Sequence, residues 1–407
     1  MKGDSVITIK VLDPIRKPED FEKFRAELVR ENDELVRNFN SMYIMDQSSN
    51  LKRGVVTKKI NGTDTYKGQL ADGVRHGKGI CYYANGDVYF GDWFNDLMHG
   101  SGVYIFSNGE RYSGELREGQ KSGFGKYVYI NANVYEGEWR NDKKHGNGVY
   151  EYYMTAEKYV GQFAANVKEG RGEYVFSNGD RYIGDYAKNM RHGFGKLIYS
   201  DGSTAEGEWR DNMLNGKAKM ILKAENEIYD GMWANNEKSG RGKYTFNDGG
   251  VFEGEWRLNA RNGKGIYTYP NGDIYDGEWK DDHRNGSGRY SYPDGGVYIG
   301  DWKDDQENGY GELRLKNGDV FHGLWQNGWK TGEGMMQYAN GDVYQGQWKN
   351  SMRDGKGTYV WKSGNQYVGD WLNDKMHGKG KMTTEGKEVF DVVFEDGKLV
   401  QKEPARK

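Results

Sequence analysis

The sequence predicts an all-β fold, an elongated, solenoid-like single-layer antiparallel sheet of stacked hairpins that repeat every 23 residues. Three observations predict it: a motif with a nearly constant period, alternation of side-chain type within each copy, and an unusual composition. The chain has 61 Gly and 31 Tyr but only 5 Pro among 407 residues. No Gly-X-Y period is present, and 14% of the residues are aromatic, which excludes a collagen and a simple disordered chain.

The repeated motif reads aromatic residue, any residue, Gly, usually an acid or amide, and then Trp. Neighbouring copies start 23 residues apart, except for two intervals of 24 residues, from Tyr135 to Tyr159 and from Ala205 to Tyr229. An eroded fifteenth copy follows at Phe390 to Phe394. The fourteen regular copies begin at Tyr66, Tyr89, Tyr112, Tyr135, Tyr159, Tyr182, Ala205, Tyr229, Phe252, Tyr275, Tyr298, Phe321, Tyr344 and Tyr367.

Each copy is predicted to be one β-hairpin with a single aromatic face. Tyr135, Gly137 and Trp139 are spaced by two residues, so in a strand they share one face while the intervening acids point to the other. A charged turn leads to a second strand with a Gly-x-Gly-x-Tyr pattern. An Asn-Gly pair, such as Asn108-Gly109, closes the unit and is a strong hairpin signal.

Stacking of the copies is expected because one hairpin buries too little apolar surface to fold alone. We expect glycine to make room for aromatic rings that stack from neighbouring copies and to supply positive φ in the tight turn. Two strands per copy, at about 4.8 Å per strand, would give the fourteen copies a length on the order of 130 Å. The expected product is a rod.

These residues closely resemble the membrane occupation and recognition nexus (MORN) family, whose repeat reads Tyr-x-Gly-x-Trp, a polar turn, Gly-x-Gly-x-Tyr and Asn-Gly. The resemblance covers Tyr66 to about Val389. It implies a non-catalytic scaffold, and the array is similar to those of radial-spoke heads and other axonemal complexes. The departures are Leu116, Phe163 and Tyr186 in place of Trp, Ala205 for the leading aromatic residue, Ala218 for a glycine and Asn131-Ala132 for Asn-Gly.

Most departures, together with both 24-residue copies, fall between about Leu116 and Tyr229. We interpret this stretch as a local bend or a partner-specific patch. The domain organisation is predicted as an N-terminal segment over residues 1–65, the array over 66–389, and a degenerate final repeat with a polar, frayed tail over 390–407.

Residues 18–39 are predicted to form an amphipathic helix. Pro18 suits a first helical turn, and Glu19 and Asp20 follow it. The helix would either cap the exposed edge of the first hairpin or dock a partner, and the two roles are compatible. Its apolar face is formed by Phe21, Phe24, Leu28, Leu35, Val36 and Phe39.

The histidines, the acids and the glycine pairs are the residues that could carry chemistry. Six of the seven histidines are assigned to turn loops, and five share one column: His76, His99, His145, His192 and His377. Copies about 10 Å apart would separate these imidazoles too far to share one metal ion. The acidic column that includes Glu138 is interpreted as a solvated stripe, and no copy supplies a phosphate-binding P-loop.

No catalytic, cofactor-binding or metal-binding residue is therefore predicted. With fewer than seventy residues before the array and fewer than twenty after it, no catalytic domain is expected. The single cysteine, Cys81, excludes an intrachain disulfide, and a net charge of −3 makes nucleic acid an unexpected partner. The sequence lacks a signal-peptide core and any apolar run long enough to span a bilayer, so a cytoplasmic location is expected.

The resemblance leaves two functional hypotheses. The first is a scaffold that assembles structural proteins in a cytoskeletal complex, above all the axoneme of a cilium or flagellum. The alternative is membrane association through phosphoinositides or membrane tethering, which has little support because lysines and acids are interspersed. Homodimerisation through terminal repeats is also considered. The residues predicted to contact a partner are Phe21, Phe24, Leu28, Leu35, Tyr104, Tyr127, Tyr244, Tyr267 and Tyr290.

Overall fold

A computed structural model describes residues 18–46 and 50–405 of the chain. The chain divides into two compact units, the first ending at Met213 and the second beginning at Leu214. Consecutive antiparallel hairpins build both units, and the described residues contain one α-helix near their N-terminal end. These observations confirm the predicted all-β class with a short N-terminal helix.

The first unit begins with α1 (Pro18–Phe39), the helix that the sequence predicts, which continues into a short π-helix (Asn40–Ile44). Each strand that follows pairs antiparallel with the next one along the chain. The strands are β1 (Val56–Ile60), β2 (Asp64–Ala71), β3 (Val74–Tyr82), β4 (Val88–Phe94), β5 (Leu97–Ile105), β6 (Arg111–Arg117), β7 (Gln120–Val128), β8 (Val134–Arg140), β9 (Lys143–Tyr152), β10 (Glu157–Ala164), β11 (Val167–Val175), β12 (Arg181–Ala187), β13 (Met190–Ile198) and β14 (Thr204–Arg210).

The second unit contains the remaining strands, again with antiparallel pairing between consecutive ones. They are β15 (Met213–Leu222), β16 (Glu227–Ala234), β17 (Glu237–Thr245), β18 (Val251–Arg257), β19 (Ala260–Thr268), β20 (Ile274–Lys280), β21 (His283–Ser291), β22 (Val297–Lys303), β23 (Gln306–Arg314), β24 (Val320–Gln326), β25 (Trp329–Gln337), β26 (Val343–Lys349), β27 (Met352–Val360), β28 (Gln366–Leu372), β29 (Lys375–Thr383), β30 (Val389–Glu395) and β31 (Lys398–Pro404).

Two kinds of turn alternate along the chain. The turn inside a hairpin has two residues with positive φ, such as Asn95 (48°) and Asp96 (66°), as a type I′ turn requires. Asn and Asp thus take the role that we expected of glycine alone, because their short polar side chains tolerate the left-handed region. The Asn-Gly pair instead joins one hairpin to the next, and there Gly109 has a φ of 92°.

The two ends of the array extend further than the sequence indicates. β1 pairs with β2, so a strand of the segment assigned as N-terminal to the array joins the first strand of the array. The expectation of a frayed tail is wrong as far as Pro404, because β31 pairs with β30 along its length. Those backbone groups gain ladder hydrogen bonds. The chain start, Met1 to Ser5, and the last two residues lie outside the described residues.

The core of each unit is the aromatic face of its hairpins, which carries the Tyr, Gly and Trp columns. The opposite face, on which side chains differ from hairpin to hairpin, is called the variable face below. The leading rings of the hairpins are nearly inaccessible to solvent. Side chains below 2% exposure are Tyr66, Tyr89, Tyr112, Tyr135, Tyr159, Tyr182, Phe252, Tyr275, Tyr298, Phe321, Tyr344 and Tyr367.

Candidate functional site

In the hairpins that begin with a tyrosine, its ring lies across the paired glycines of the same hairpin. Gly277 and Gly288 are cross-strand partners, and a Cβ built on Gly288 would lie 2.4 Å from the Tyr275 hydroxyl oxygen. That hydroxyl donates a hydrogen bond to the backbone oxygen of Glu278 at 3.0 Å. Glycine is therefore required by a ring of its own hairpin, whereas we expected a ring from a neighbouring copy.

The contact between neighbouring hairpins is made by tryptophan. Tyr275 meets the ring of Trp279 in its own hairpin at 5.2 Å and that of Trp302 in the next hairpin at 5.3 Å, both edge to face. The indole nitrogen of Trp302 donates to the backbone oxygen of Gly288 at 3.3 Å. Edge-to-face pairs are favoured by the ring quadrupoles, so each Trp ties two hairpins together.

A column of arginines and lysines, which we did not predict from the sequence, also joins the hairpins. The guanidinium carbon of Arg284 lies 4.4 Å from the centre of the Trp302 ring. Arg75, Arg261 and Arg353 make the same contact with Trp93, Trp279 and Trp371, respectively. The detectable signal was a basic residue recurring five positions after the Trp column.

Lysine occupies the same column in several other hairpins, and its burial there lowers the pKa of the ammonium group. Lys168 lies 4.3 Å from the centre of the Tyr174 ring. Burial lowers the pKa of Lys168 to about 8, although the Glu157 carboxylate acts in the opposite direction. The ammonium groups therefore cover ring faces that would otherwise be open to solvent.

The second tyrosine column, from which five of the predicted partner-binding residues come, is also engaged internally. Tyr290 donates to the Asp273 carboxylate at 2.6 Å and contacts the rings of Tyr269 and Tyr292 at 5.8 and 4.8 Å. The side chains of Tyr127, Tyr244 and Tyr267 are each only 8% exposed, whereas Tyr104 and Tyr290 are half-buried. The aromatic face thus retains little ring surface for a partner.

The acids at the position directly before Trp, such as Glu138, have a structural role that we did not predict. The hairpin of β8 and β9 contains a β-bulge next to Trp139, and Gly146 there has a φ of 59°. The Glu138 carboxylate accepts the backbone hydrogen of Asn147 at 2.8 Å, and Asp92, Glu115 and Asp185 act similarly in their hairpins. These acids remain accessible to solvent, as the interpretation as a solvated stripe expects, and they also cap amides that the bulge leaves unpaired.

The histidine column lies in strands and not in turn loops, which corrects the sequence assignment. His145, for example, belongs to β9 and directly precedes the bulge glycine. The Nδ1 atoms of His76, His192 and His377 are buried and have no hydrogen-bond partner among the described residues. Within residues 18–46 and 50–405, no group of three or more His, Cys, Asp or Glu side chains is arranged to hold a metal ion.

On the variable face of the first unit, α1 is packed against the sheet. Ile44, Ile80, Phe90 and Ile105 form a buried cluster, and α1 adds Leu35, Val36 and Phe39 to it. The rings of Phe39 and Phe90 are 5.1 Å apart. The strands beneath α1 carry apolar side chains on this face, which explains why the helix lies there.

Polar contacts and a further ring contact hold the rest of α1. Asn32, only 5% exposed, donates to the backbone oxygen of Gly109 and accepts from Arg111, both at 3.0 Å. Arg111 also pairs with Glu31 at 3.2 Å, and Phe24 lies 5.5 Å from Tyr153. These contacts place α1 across a face of the sheet and not along its edge strand β1, so the expected edge-capping role needs correction.

The helix residues that we predicted to contact a partner therefore point in part toward the chain's own sheet. Leu28 is 3% exposed, and Phe21, Phe24 and Leu35 are half-buried. Their role in binding another protein stays a prediction.

The model of the MORN repeat matches the chain fourteen times: over residues 66–88, 89–111, 112–134, 135–154, 159–181, 182–204, 206–223, 229–251, 252–274, 275–297, 298–320, 321–343, 344–366 and 367–385. The chain belongs to the MORN-repeat family. The predicted family is thus confirmed. MORN arrays are non-catalytic repeat scaffolds that bind proteins or membranes, and no enzyme family is indicated.

Other comparisons add little to this assignment. No curated protein sequence matches the chain. The SAS-4 (dCPAP) TCP domain of Drosophila melanogaster, in complex with a proline-rich motif of Ana2 (dSTIL), is 18% identical over 39% of this chain and 85% of that one, with a TM-score of 0.26. The TCP10 domain of Danio rerio CPAP, in complex with a STIL peptide, is 12% identical over 66% and 92%, with a TM-score of 0.24. TM-scores this low do not establish a shared fold.

Outside the area covered by α1, much of the variable face of these MORN hairpins carries ion pairs. Lys196 and Glu206 are joined at 2.9 Å in the first unit, and Lys356 and Asp370 at 2.5 Å in the second. Exposed apolar side chains interrupt this pattern, among them Phe124 and Phe194, each 55% exposed. Among residues 18–46 and 50–405, no helix is long and apolar enough to cross a bilayer.

Proposed function

We propose that this MORN protein is a non-catalytic scaffold that assembles other structural proteins in a ciliary or flagellar axoneme, within a complex similar to a radial spoke. The observation that supports the proposal is that the two faces of the hairpins have different roles. The aromatic face is nearly the same in every hairpin and is used for internal packing. The variable face changes from hairpin to hairpin and remains accessible beyond α1.

Each hairpin can thus contribute a different contact at a regular spacing. Asp230, Glu253 and Asp276 occupy one column in three successive hairpins of the second unit, and Ile299 follows in the fourth. A face of this kind can recognise several proteins side by side, because charge and apolar contact alternate along it.

The contacts of α1 support a role in binding proteins. The variable face of the first unit already holds a helix through an apolar cluster, a buried amide and an ion pair between Arg111 and Glu31. This combination of an apolar centre and a polar rim is typical of protein–protein interfaces. The same kind of face is therefore suited to segments of other proteins.

Membrane binding is less favoured because lysines on the variable face are paired with acids. Lys78 and Asp92 are 2.7 Å apart, and Lys126 and Glu136 are 3.7 Å apart. Attraction to an anionic bilayer requires a cluster of several basic side chains near the surface. Interleaved acids remove much of that attraction.

The test is localisation of the tagged full chain in ciliated cells, by proximity labelling followed by detergent extraction. The proposal predicts that the chain remains with the extracted axoneme and labels its structural proteins. A signal that diffuses away on extraction would contradict it. In parallel, the purified chain is sedimented with phosphoinositide liposomes, and salt-sensitive binding above neutral-lipid controls would favour the membrane function instead.

A further inference from the structure

We infer that the variable face of the second unit binds an amphipathic α-helix of a partner protein on a patch formed by Ile299, Tyr310, Leu324 and Met335. We call these four residues the apolar patch. The inference deepens the proposed scaffold function and rests on it, since it states which kind of partner segment one part of the array receives.

The apolar patch contains one residue on each of four consecutive strands, β22 to β25. Tyr310 and Leu324 are cross-strand partners, and Met335 lies opposite His322 on the next pair of strands. Ile299 is 43% exposed and Tyr310 is 68% exposed, while Leu324 and Met335 are half-buried. Ile299 and Met335 lie in one cross-strand row with Glu312 and His322 between them, and Tyr310 and Leu324 lie in the adjacent row. A group of accessible apolar side chains on a protein surface commonly marks an interaction site.

Leu324 and Tyr310 depart from the usual composition of their columns, in which most hairpins carry a polar or charged residue. Leu324 occupies the column in which Asp301 accepts the backbone hydrogen of Tyr310 at the β-bulge and in which Asp370 pairs with Lys356. Ile299 follows three hairpins with an acid at the same position. Each change replaces a well-solvated group with one that gains free energy by being covered.

In the first unit, α1 covers apolar residues of the same columns. Phe90 is the counterpart of Ile299, and Val103 is the counterpart of Met335. Both are packed against or near the cluster to which α1 contributes, and Phe90 is only 5% exposed. Within the described residues, no helix takes the place of α1 in the second unit, and Ile299 stays accessible.

Geometry favours a helix that crosses the strands. Strands are about 4.8 Å apart, and a helix rises about 1.5 Å per residue, so a crossing helix meets a new strand about every three residues. This spacing is close to the helical repeat of about 3.6 residues. A helix with apolar side chains at positions i, i+3, i+7 and i+10 therefore places about one of them over each strand. α1 has that pattern at Phe21, Phe24 and Leu28, and again at Leu35 and Phe39.

Charge near the apolar patch indicates a basic flank on the partner helix. Glu312 is paired with Arg314 and with His322, the latter at 3.2 Å. Glu333 is exposed, and no ion pair joins it to another described residue. In the first unit the signs are reversed, because Arg111 of the sheet pairs with Glu31 of the helix. A lysine or arginine beside Glu333 would complete the interface.

The probe is a fluorescent 22-residue helical peptide with leucines at the i, i+3, i+7, i+10 spacing and with lysine and glutamine elsewhere. A peptide of the same composition in scrambled order is its control. Fluorescence anisotropy with the full chain is expected to show saturable binding of the helical peptide and little binding of the scrambled one.

Two matched variants locate the binding site. Tyr310→Ser combined with Leu324→Asp is expected to weaken binding at least about tenfold, because two central contacts are lost. Ile266→Asp changes an exposed residue, 45% accessible, in the same column as Met335 but outside the apolar patch, and it should change the affinity less than about twofold. Circular dichroism verifies that each variant folds.

Glu333→Lys tests the charge, and it should weaken binding of the lysine peptide while strengthening binding of a glutamate counterpart. Equal binding of scrambled and helical peptides, or an equal loss with Ile266→Asp, would overturn the inference. If the peptide fails to bind although the chain localises to the axoneme, only this inference fails. If it binds at the apolar patch although the chain leaves extracted cells, only the proposed location fails.

Discussion

The Asp305 carboxylate in the turn of one hairpin accepts hydrogen bonds from both the backbone amide and the Nε of Arg284 in the preceding hairpin, at 2.9 and 3.1 Å. The guanidinium also donates to the backbone oxygen of Asp305 at 2.7 Å and lies over Trp302. Partial burial raises the pKa of Asp305, but the hydrogen bonds from Arg284 and His283 outweigh it and leave the pKa below its usual value. One arginine thus couples two hairpins.

We expect Arg284→Met to lower the free energy of unfolding by about 2 kcal/mol, because it removes a charge-assisted hydrogen bond and a cation–π contact while keeping the side chain apolar and long. Arg289→Met is the matched control, since in the part of the chain that the structure describes the Arg289 side chain is hydrogen-bonded only to the Ser291 hydroxyl, at 3.3 Å. Urea unfolding followed by tryptophan fluorescence compares the two. Equal effects would show that Arg284 contributes nothing beyond a surface arginine.

Gly288→Ala is expected to cost about 3 kcal/mol, because the new methyl group would have to displace the Tyr275 ring from the glycine pair. Gly386→Ala serves as the control, since the nearest atom to a Cβ there is the Thr384 hydroxyl oxygen at 3.8 Å. Thermal unfolding monitored by circular dichroism should separate the two variants clearly. If Gly288→Ala unfolds at the wild-type temperature, the ring does not require the glycine.

Phe90→Ala and Ile299→Ala compare the same column with and without a covering helix. Loss of the Phe90 ring should lower the stability by about 3 kcal/mol and increase binding of the dye ANS, because the cluster beneath α1 loses its centre. Ile299→Ala should change the stability by less than about 0.5 kcal/mol, since that side chain is accessible. Comparable losses in the two variants would argue against the packing of α1 on Phe90.

High pH should unfold the protein through its buried tyrosines. Burial raises the pKa of Tyr152 to about 12, and burial also raises the pKa values of Tyr89, Tyr135 and Tyr298 above the ordinary value of 10.0. Above about pH 10 the unfolded chain loses phenolic protons that the folded chain retains, so stability declines as the pH rises further.

The measurement is circular dichroism combined with tyrosinate absorbance. Both signals should change together, with an apparent midpoint above pH 10, because ionisation requires opening of the aromatic face. Gradual tyrosinate formation near pH 10 with unchanged circular dichroism would contradict this expectation. It would show that the rings are open to solvent in the folded protein.

The sequence predicted the hairpin period, the aromatic face and the bounds of α1, because these follow from local alternation and helical spacing. It did not predict that Tyr275 lies over its own glycines, nor that Glu138 caps a bulge. Both depend on the register shift beside the Trp position, which residue types alone do not reveal. The location of α1 depends on contacts such as Asn32 with Gly109, whose partners are 77 residues apart.

The aromatic rings pack within the array, while the variable face outside α1 is accessible to partners. Hydroxyl-radical footprinting of the purified full chain, read out by mass spectrometry, tests this arrangement directly. Tyr310 should be oxidised rapidly, and so should Trp329, which is 57% exposed, whereas Tyr275 and Trp302 should be protected. Oxidation of Tyr275 and Trp302 at the rate of Tyr310 would contradict the account.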